Sequence, residues 1–265
     1  MSKTIKIAIT YEKGGVGKTT TAVNLAAILA ERGCRVLLVD LDPQSYATSY
    51  YDMYDDEKPG INEVMMERCE AGTAIRPTGI DKLDLLPCTY DFKNIETFLM
   101  MKTRKQEYTL RDTLEGITEK YDFILMDCPP SGNRIKTNAL AYADYVILPT
   151  IPDDYAIHGL LCMAQEIVDI RSGVNPGLEV MGVLITLYER TANKKAYTEA
   201  LQSQNIFPCF RTIIRKNTVL SAAINAHQPI NLYSRRCSGC TDYMALTDEV
   251  TERLGRKRCD LHGTL

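Results

Sequence analysis

The sequence predicts an α/β fold, a mainly parallel, twisted sheet with helices on both faces. Three observations carry that expectation. Short, almost continuous apolar runs recur along the chain, as strands covered on both sides require. Segments with apolar residues at helical spacing lie between them. A glycine-rich loop joins the first such strand to the first such helix.

The elements follow in order. KTIKIAIT (Lys3–Thr10) reads as a strand that enters the glycine loop. Ala22, Leu25, Ala26 and Leu29 then mark one face of a helix that stops at Gly33. Further strands are expected at CRVLLVD, KLDLLP, YDFILMD, YVILPT and EVMGVLITL. Helices are expected over Tyr155–Ile170, Lys194–Gln202 and Tyr243–Leu254. No repeat, low-complexity stretch or linker divides the 265 residues, so residues 1–265 are expected to form one domain.

Composition narrows the function classes. The chain is 45% hydrophobic, enough for a substantial core, yet it has no apolar run long enough to span a bilayer. Met1–Lys6 lacks the pattern of a secretory signal. Nine scattered cysteines give no disulfide framework, which points to a reducing cytoplasm. The net charge of −3 argues against a uniformly basic nucleic-acid binder. Between Tyr188 and Arg236, however, eight basic residues face only Glu189 and Glu199. Solvated helix faces would give the same count.

TYEKGGVGKTT (Thr10–Thr20) ends as a phosphate-binding loop does, in Gly17, Lys18 and Thr19. Gly14, Gly15 and Gly17 permit close approach of backbone N–H groups to an anion, with Val16 between them. Lys18 is placed to reach β- and γ-phosphates, and the Thr19 hydroxyl to ligate Mg²⁺. The usual pattern has a further glycine where Glu12 stands, and Lys13 follows it as a second lysine. Two later strands end in acids, Asp40 and Asp42 in VLLVDLDPQ and Asp127 in YDFILMDCPPSG. Such aspartates beside a phosphate loop can hold Mg²⁺ or orient an attacking water.

Together KGGVGKTT, VLLVDLDPQ and DCPPSG resemble the deviant Walker A ATPases, specifically the ParA group of DNA-partitioning proteins, in a small form without an N-terminal helix-turn-helix domain. The resemblance runs nearly the whole length and implies the P-loop NTPase fold with ATP and Mg²⁺ as cofactors. It makes Lys13 the signature lysine, which reaches the partner's phosphates across an ATP-dependent homodimer. It also implies that Lys18 and Thr20 hold the phosphates, Thr19 binds Mg²⁺, Asp42 positions the water, and Asp40 and Asp127 lie near the metal.

The same resemblance implies nonspecific double-stranded DNA as a partner. A ParB-like centromere-binding protein would stimulate hydrolysis, and the ATP-bound protein would associate with the nucleoid. Lys194, Lys195, Arg211, Arg215, Lys216, Arg235 and Arg236 are the candidate DNA contacts. Relatives often have Pro-Arg-Asn and a later arginine where this chain has Arg215-Lys216-Asn217 and Val219. The alternative is an iron–sulfur carrier of the Mrp type, with Cys237 and Cys240 of RRCSGC completing a four-thiolate site in a dimer. The tail RLGRKRCDLHGTL has too few bulky apolar residues to insert into a membrane surface. SYATSYYDMYDDEKPG, after Pro43, is expected to be either a nucleotide-sensitive loop or an inert surface loop.

Overall fold

The computed structural model describes residues 3–89, 94–103, 105–130 and 134–255. Ser131 and Gly132 of the DCPPSG motif, and the tail beyond Gly255, lie outside them. Each apolar run of the sequence becomes a strand. The strands are β1 (Ile5–Ile9), β2 (Val36–Asp40), β3 (Arg76–Pro77), β4 (Leu83–Leu86), β5 (Phe123–Asp127), β6 (Tyr145–Thr150), β7 (Glu179–Tyr188) and β8 (Cys209–Arg215). They form one sheet in the order β3-β4-β2-β5-β1-β6-β7-β8. Neighbours are parallel except β3 and β4, which run antiparallel.

Alternation along the central strands sends side chains to two cores. Ile7 and Ile9 enter one and Ala8 the other; Val36 and Leu38 separate likewise from Leu37 and Val39. Leu25, Leu29, Tyr243, Leu246 and Val250, from the helices Lys18–Glu31 and Ser238–Arg253, cover the first face. Leu110, Leu114, Ile135, Leu140, Leu160, Met163 and Ile167 cover the second, from the helices Thr109–Thr118, Arg134–Tyr142 and Ala156–Gly173. With β2 and β5 buried throughout, the near-continuous apolar character of their sequence follows directly.

Two features depart from the pattern read in the sequence. β8 carries Arg211, Thr212 and Arg215 and lies at the sheet edge, exposed in part, so its apolar run is interrupted. The stretch after Pro43 is not simply a surface loop. It begins with a helix, Tyr46–Tyr50, which buries Ala47 and Tyr50, and Tyr51 is buried directly after it. Among the described residues no helix is long and apolar enough to cross a membrane.

Candidate functional site

β1 lies between β5 and β6, and the glycine loop leaves its C-terminal end. Gly15 and Gly17 have φ of +72° and +83°, a left-handed backbone that a side chain would strain. Gly17 caps the helix Lys18–Glu31 without a side-chain hydrogen bond, so its first N–H groups face the loop with no side chain capping them. Thr186 braces the loop from β7, its hydroxyl donating to the Val16 carbonyl at 2.8 Å. A cleft of about 700 Å³ opens over this cradle, lined by Gly14, Gly15, Gly17, Lys18, Thr19, Thr20 and Asp42 among others.

Lys18 is buried, and its ammonium donates to the Lys13 carbonyl at 3.2 Å. Burial pulls its pKa below the usual lysine value, against the attraction of Asp127 and Asp42. Asp40 and Asp127 are register partners on β2 and β5 and are fully buried side by side. Asp40 already has partners. One oxygen accepts from the Thr48 amide and hydroxyl at 2.8 and 2.7 Å, and the other from the Asp42 amide at 3.1 Å. Burial pushes Asp40 up to about 6 despite these hydrogen bonds.

Asp127 differs. Neither of its carboxylate oxygens accepts a hydrogen bond of ordinary geometry. Burial, then Asp40, push it well above the carboxylate range, opposed by Thr19. A buried carboxylate left in this state is suited to a cation or to a group that donates to it. With the open helix N-terminus and the glycine cradle, the residues present fit a phosphate anion and its metal ion. Asp42 lies at the cleft wall, its carboxylate accepting from the Gln44 amide at 3.0 Å.

Lys13 stands apart from this group. Its ammonium pairs with Asp153, on the segment between β6 and the helix Ala156–Gly173, and its side chain is 45% exposed. The structure therefore brings Lys18, Thr19, Thr20, Asp40, Asp42 and Asp127 together at the C-terminal ends of the central strands and holds the Lys13 side chain at the rim. Residues that the sequence reading missed include Thr48, which fixes Asp40, and Glu96, which accepts from the Arg134 and Ile135 amides at 3.3 and 3.1 Å. Their partners are far off in the chain or lie on a different element, so no local spacing announces them.

The basic segment is less positive than its sequence count. Arg215 makes a forked ion pair with buried Asp242 at 2.6–3.1 Å, Arg211 pairs with Glu252, and Arg235 with Glu31. Lys216 pairs with Glu189 at 3.0 Å and Lys195 with Glu199 at 3.8 Å. Lys194 donates to the Pro152 carbonyl at 3.0 Å. Arg236 is exposed. Counting within Tyr188–Arg236 thus omitted the acids that fold onto it from elsewhere.

Cys240 is buried in the core, where burial raises its thiol, and Cys237 caps the helix Ser238–Arg253 by accepting from the Cys240 amide at 3.3 Å. One thiol of the pair is therefore enclosed in the core, which does not favour a shared four-thiolate cluster. No group of three or more metal-binding side chains occurs among the described residues.

A family model described as an AAA domain matches residues 4–180. The chain is 37% identical over 249 residues to the chromosome partitioning protein ParA of Myxococcus xanthus, covering 93% of this chain and 88% of that one. It is 36% identical to the sporulation initiation inhibitor protein Soj of Bacillus subtilis, covering 92% of this chain and 97% of that one. Among solved structures, cobyrinic acid a,c-diamide synthase from Mycobacterium smegmatis, with a bound ATP analogue and magnesium, superposes with a TM-score of 0.84 at 30% identity, covering 96% and 97% of the two chains. A plasmid partition protein from Borrelia burgdorferi gives a TM-score of 0.78 at 25% identity, covering 95% and 100%.

Proposed function

This chain belongs to the ParA-type partition ATPases, and from that premise we infer that it is a Mg²⁺-dependent ATPase that segregates DNA. It acts as a single ATPase domain, dimerises around ATP, binds double-stranded DNA without sequence preference and leaves it after hydrolysis. A ParB-like DNA-bound protein is its partner, and it works in the cytoplasm on the nucleoid. The observation that carries the reading is the pairing of an open, glycine-lined helix N-terminus with the fully buried Asp127, whose carboxylate accepts no hydrogen bond of ordinary geometry and is stabilised by Thr19 and Lys18 of that same loop and helix.

In this mechanism Lys18 exchanges the Lys13 carbonyl for phosphate oxygens, and the loop amides with Thr20 complete the cradle. Thr19 and Asp127 would hold Mg²⁺, with Asp40 beside Asp127 fixed by Thr48. When bound, the metal neutralises charge on the phosphate oxygens. Asp42, at the cleft wall, orients the attacking water. Lys13 leaves Asp153 to meet the nucleotide of a second copy, where its charge stabilises the dimer and the transition state.

The test is binding to nonspecific duplex DNA at low salt, compared with ATP–Mg²⁺, with ADP–Mg²⁺ and without nucleotide. Binding confined to the ATP state and weakened by salt is the expected result. Equal binding in all three states, or none, overturns the partition cycle.

A further inference from the structure

Thr48 belongs neither to the phosphate loop nor to the acidic strand ends, yet it is fully buried and bonded to one of those acids. It lies in the five-residue helix Tyr46–Tyr50, whose Tyr46, Ser49 and Tyr50 line the cleft. A helix so short does not hold itself together. Buried Ala47 and Tyr50 seat it, together with the bonds of Thr48. Ser45 before it and Asp52 beyond it have φ of +54° and +51°, so the chain enters and leaves through left-handed residues that are not glycine.

The Thr48 hydroxyl joins three elements. The Cys88 amide, just after β4, donates to it at 2.8 Å, so the hydroxyl oxygen is the acceptor there. Its single proton goes to Asp40 Oδ2 at the end of β2, 2.7 Å away. The Thr48 amide donates to that same oxygen at 2.8 Å. Two donors fill the lone pairs of Oδ2, whereas Oδ1 receives only the Asp42 amide among the described residues. One acceptor position of Asp40 thus stays open, on the oxygen that Thr48 does not touch. Asp127, its register partner, is buried beside it, and neither Asp127 oxygen accepts a hydrogen bond of ordinary geometry. Two carboxylates buried side by side oppose each other, so their meeting adds nothing to the stability of the fold.

We propose that Thr48 is a positioning residue for the metal ion. It pins Asp40 by Oδ2, leaves Oδ1 for the ion and its water, and ties the cleft-wall helix to the same carboxylate. This rests on the ATP-site reading above. Metal binding and the seat of the helix Tyr46–Tyr50 are then coupled, each stabilising the other.

The test titrates Mg²⁺ into the full chain with a fluorescent, non-hydrolysable ATP analogue, with melting temperature and amide hydrogen exchange measured alongside. Thr48→Val keeps the volume and loses the hydroxyl. It is expected to need about ten-fold more Mg²⁺ for half-maximal binding of the analogue, with binding in the absence of metal unchanged. Thr48→Ser restores the hydroxyl and is expected to restore the Mg²⁺ requirement, even where its melting temperature falls. At saturating Mg²⁺ and analogue, exchange across residues 46–50 should slow in the wild type and slow less in Thr48→Val. A folded Thr48→Val with the wild-type Mg²⁺ requirement overturns the proposal, since a purely structural hydroxyl predicts a lower melting temperature alone. A Thr48→Ser that needs as much Mg²⁺ as Thr48→Val overturns it too, and equal slowing in wild type and Thr48→Val overturns the coupling. Should Thr48→Val not fold, Thr48→Cys, a weak donor, takes its place under the same criteria. Wild-type protein that binds the analogue equally with and without Mg²⁺, or not at all, overturns the ATP-site reading itself, and this inference with it.

Discussion

The two charged regions of this molecule are built in opposite ways. At the glycine-loop end the charges are few, buried and incompletely satisfied: Lys18 rests on a backbone carbonyl, and neither Asp127 oxygen accepts a hydrogen bond of ordinary geometry. Along β8 and the segments around it the charges are many and exposed, and most are paired: Arg215 with Asp242, Arg211 with Glu252, Lys216 with Glu189. Leaving a buried group unpaired costs free energy, so the first pattern carries information about what is to be bound. Exposed pairs cost and contribute little, so the second pattern says less. A net charge read from sequence weights both alike, and only the fold separates them.

The sharpest way to break this contrast is Lys18→Ala. It should abolish detectable nucleotide binding in a fluorescence titration, and retained affinity would mean that the buried charges serve the fold alone. Next in size, Asp42→Ala should bind ATP but lower turnover by about 10²-fold or more in a phosphate-release assay, with dimer accumulating. Lys13→Ala should bind ATP and remain monomeric by light scattering; ATP-dependent dimers of that variant would place Lys13 among the inert exposed charges.

On the paired side the effects should be smaller. Arg236→Ala should lower the salt dependence of DNA binding by about one counterion, whereas Arg215→Ala should lower the melting temperature by about 2–4 °C through the loss of the Asp242 pair. The smallest effect concerns Glu249. Burial would raise its pKa, but the Arg211 and Thr212 amides, the Thr212 hydroxyl and Arg253 hold it below the ordinary value. A depressed folded pKa contributes stability above the unfolded value, and that stability is lost as pH falls through the folded one. Glu249→Gln should therefore flatten the melting-temperature profile below about pH 4.5. An unchanged slope would make other carboxylates responsible.

The same contrast explains what could be read from sequence. The glycine loop, Lys18 and the three aspartates are legible because each sits at a fixed offset from an apolar run, and the parallel sheet aligns the ends of those runs. β2 and β5 are legible because both faces are buried and no polar residue precedes their terminal aspartates. β8 is not, since an edge strand with Arg211 and Arg215 facing outward breaks its own run. Neither Thr48 against Asp40 nor Lys136 against Glu166 can be anticipated, because their meeting depends on how separate elements pack. The ion pairs of the basic segment were hidden for the same reason, with Glu31 reaching Arg235 from the first helix.

The central place of β1 has a consequence for timing. Its hydrogen-bonding neighbours are β5 and β6, with Ile5 opposite Phe123 and Ile7 opposite Tyr145. A ribosome finishes the glycine loop early, but Asp127 emerges on the order of ten seconds later at ordinary synthesis rates. Until then the loop has neither a strand on either side nor the carboxylate that faces it. Nascent chains therefore carry the motif without the site, and pairing at such sequence separation is slow once it becomes available. Nucleotide capture by this protein is an event of the finished sheet, and a chain released before β5 would hold its most recognisable motif in a form that binds nothing.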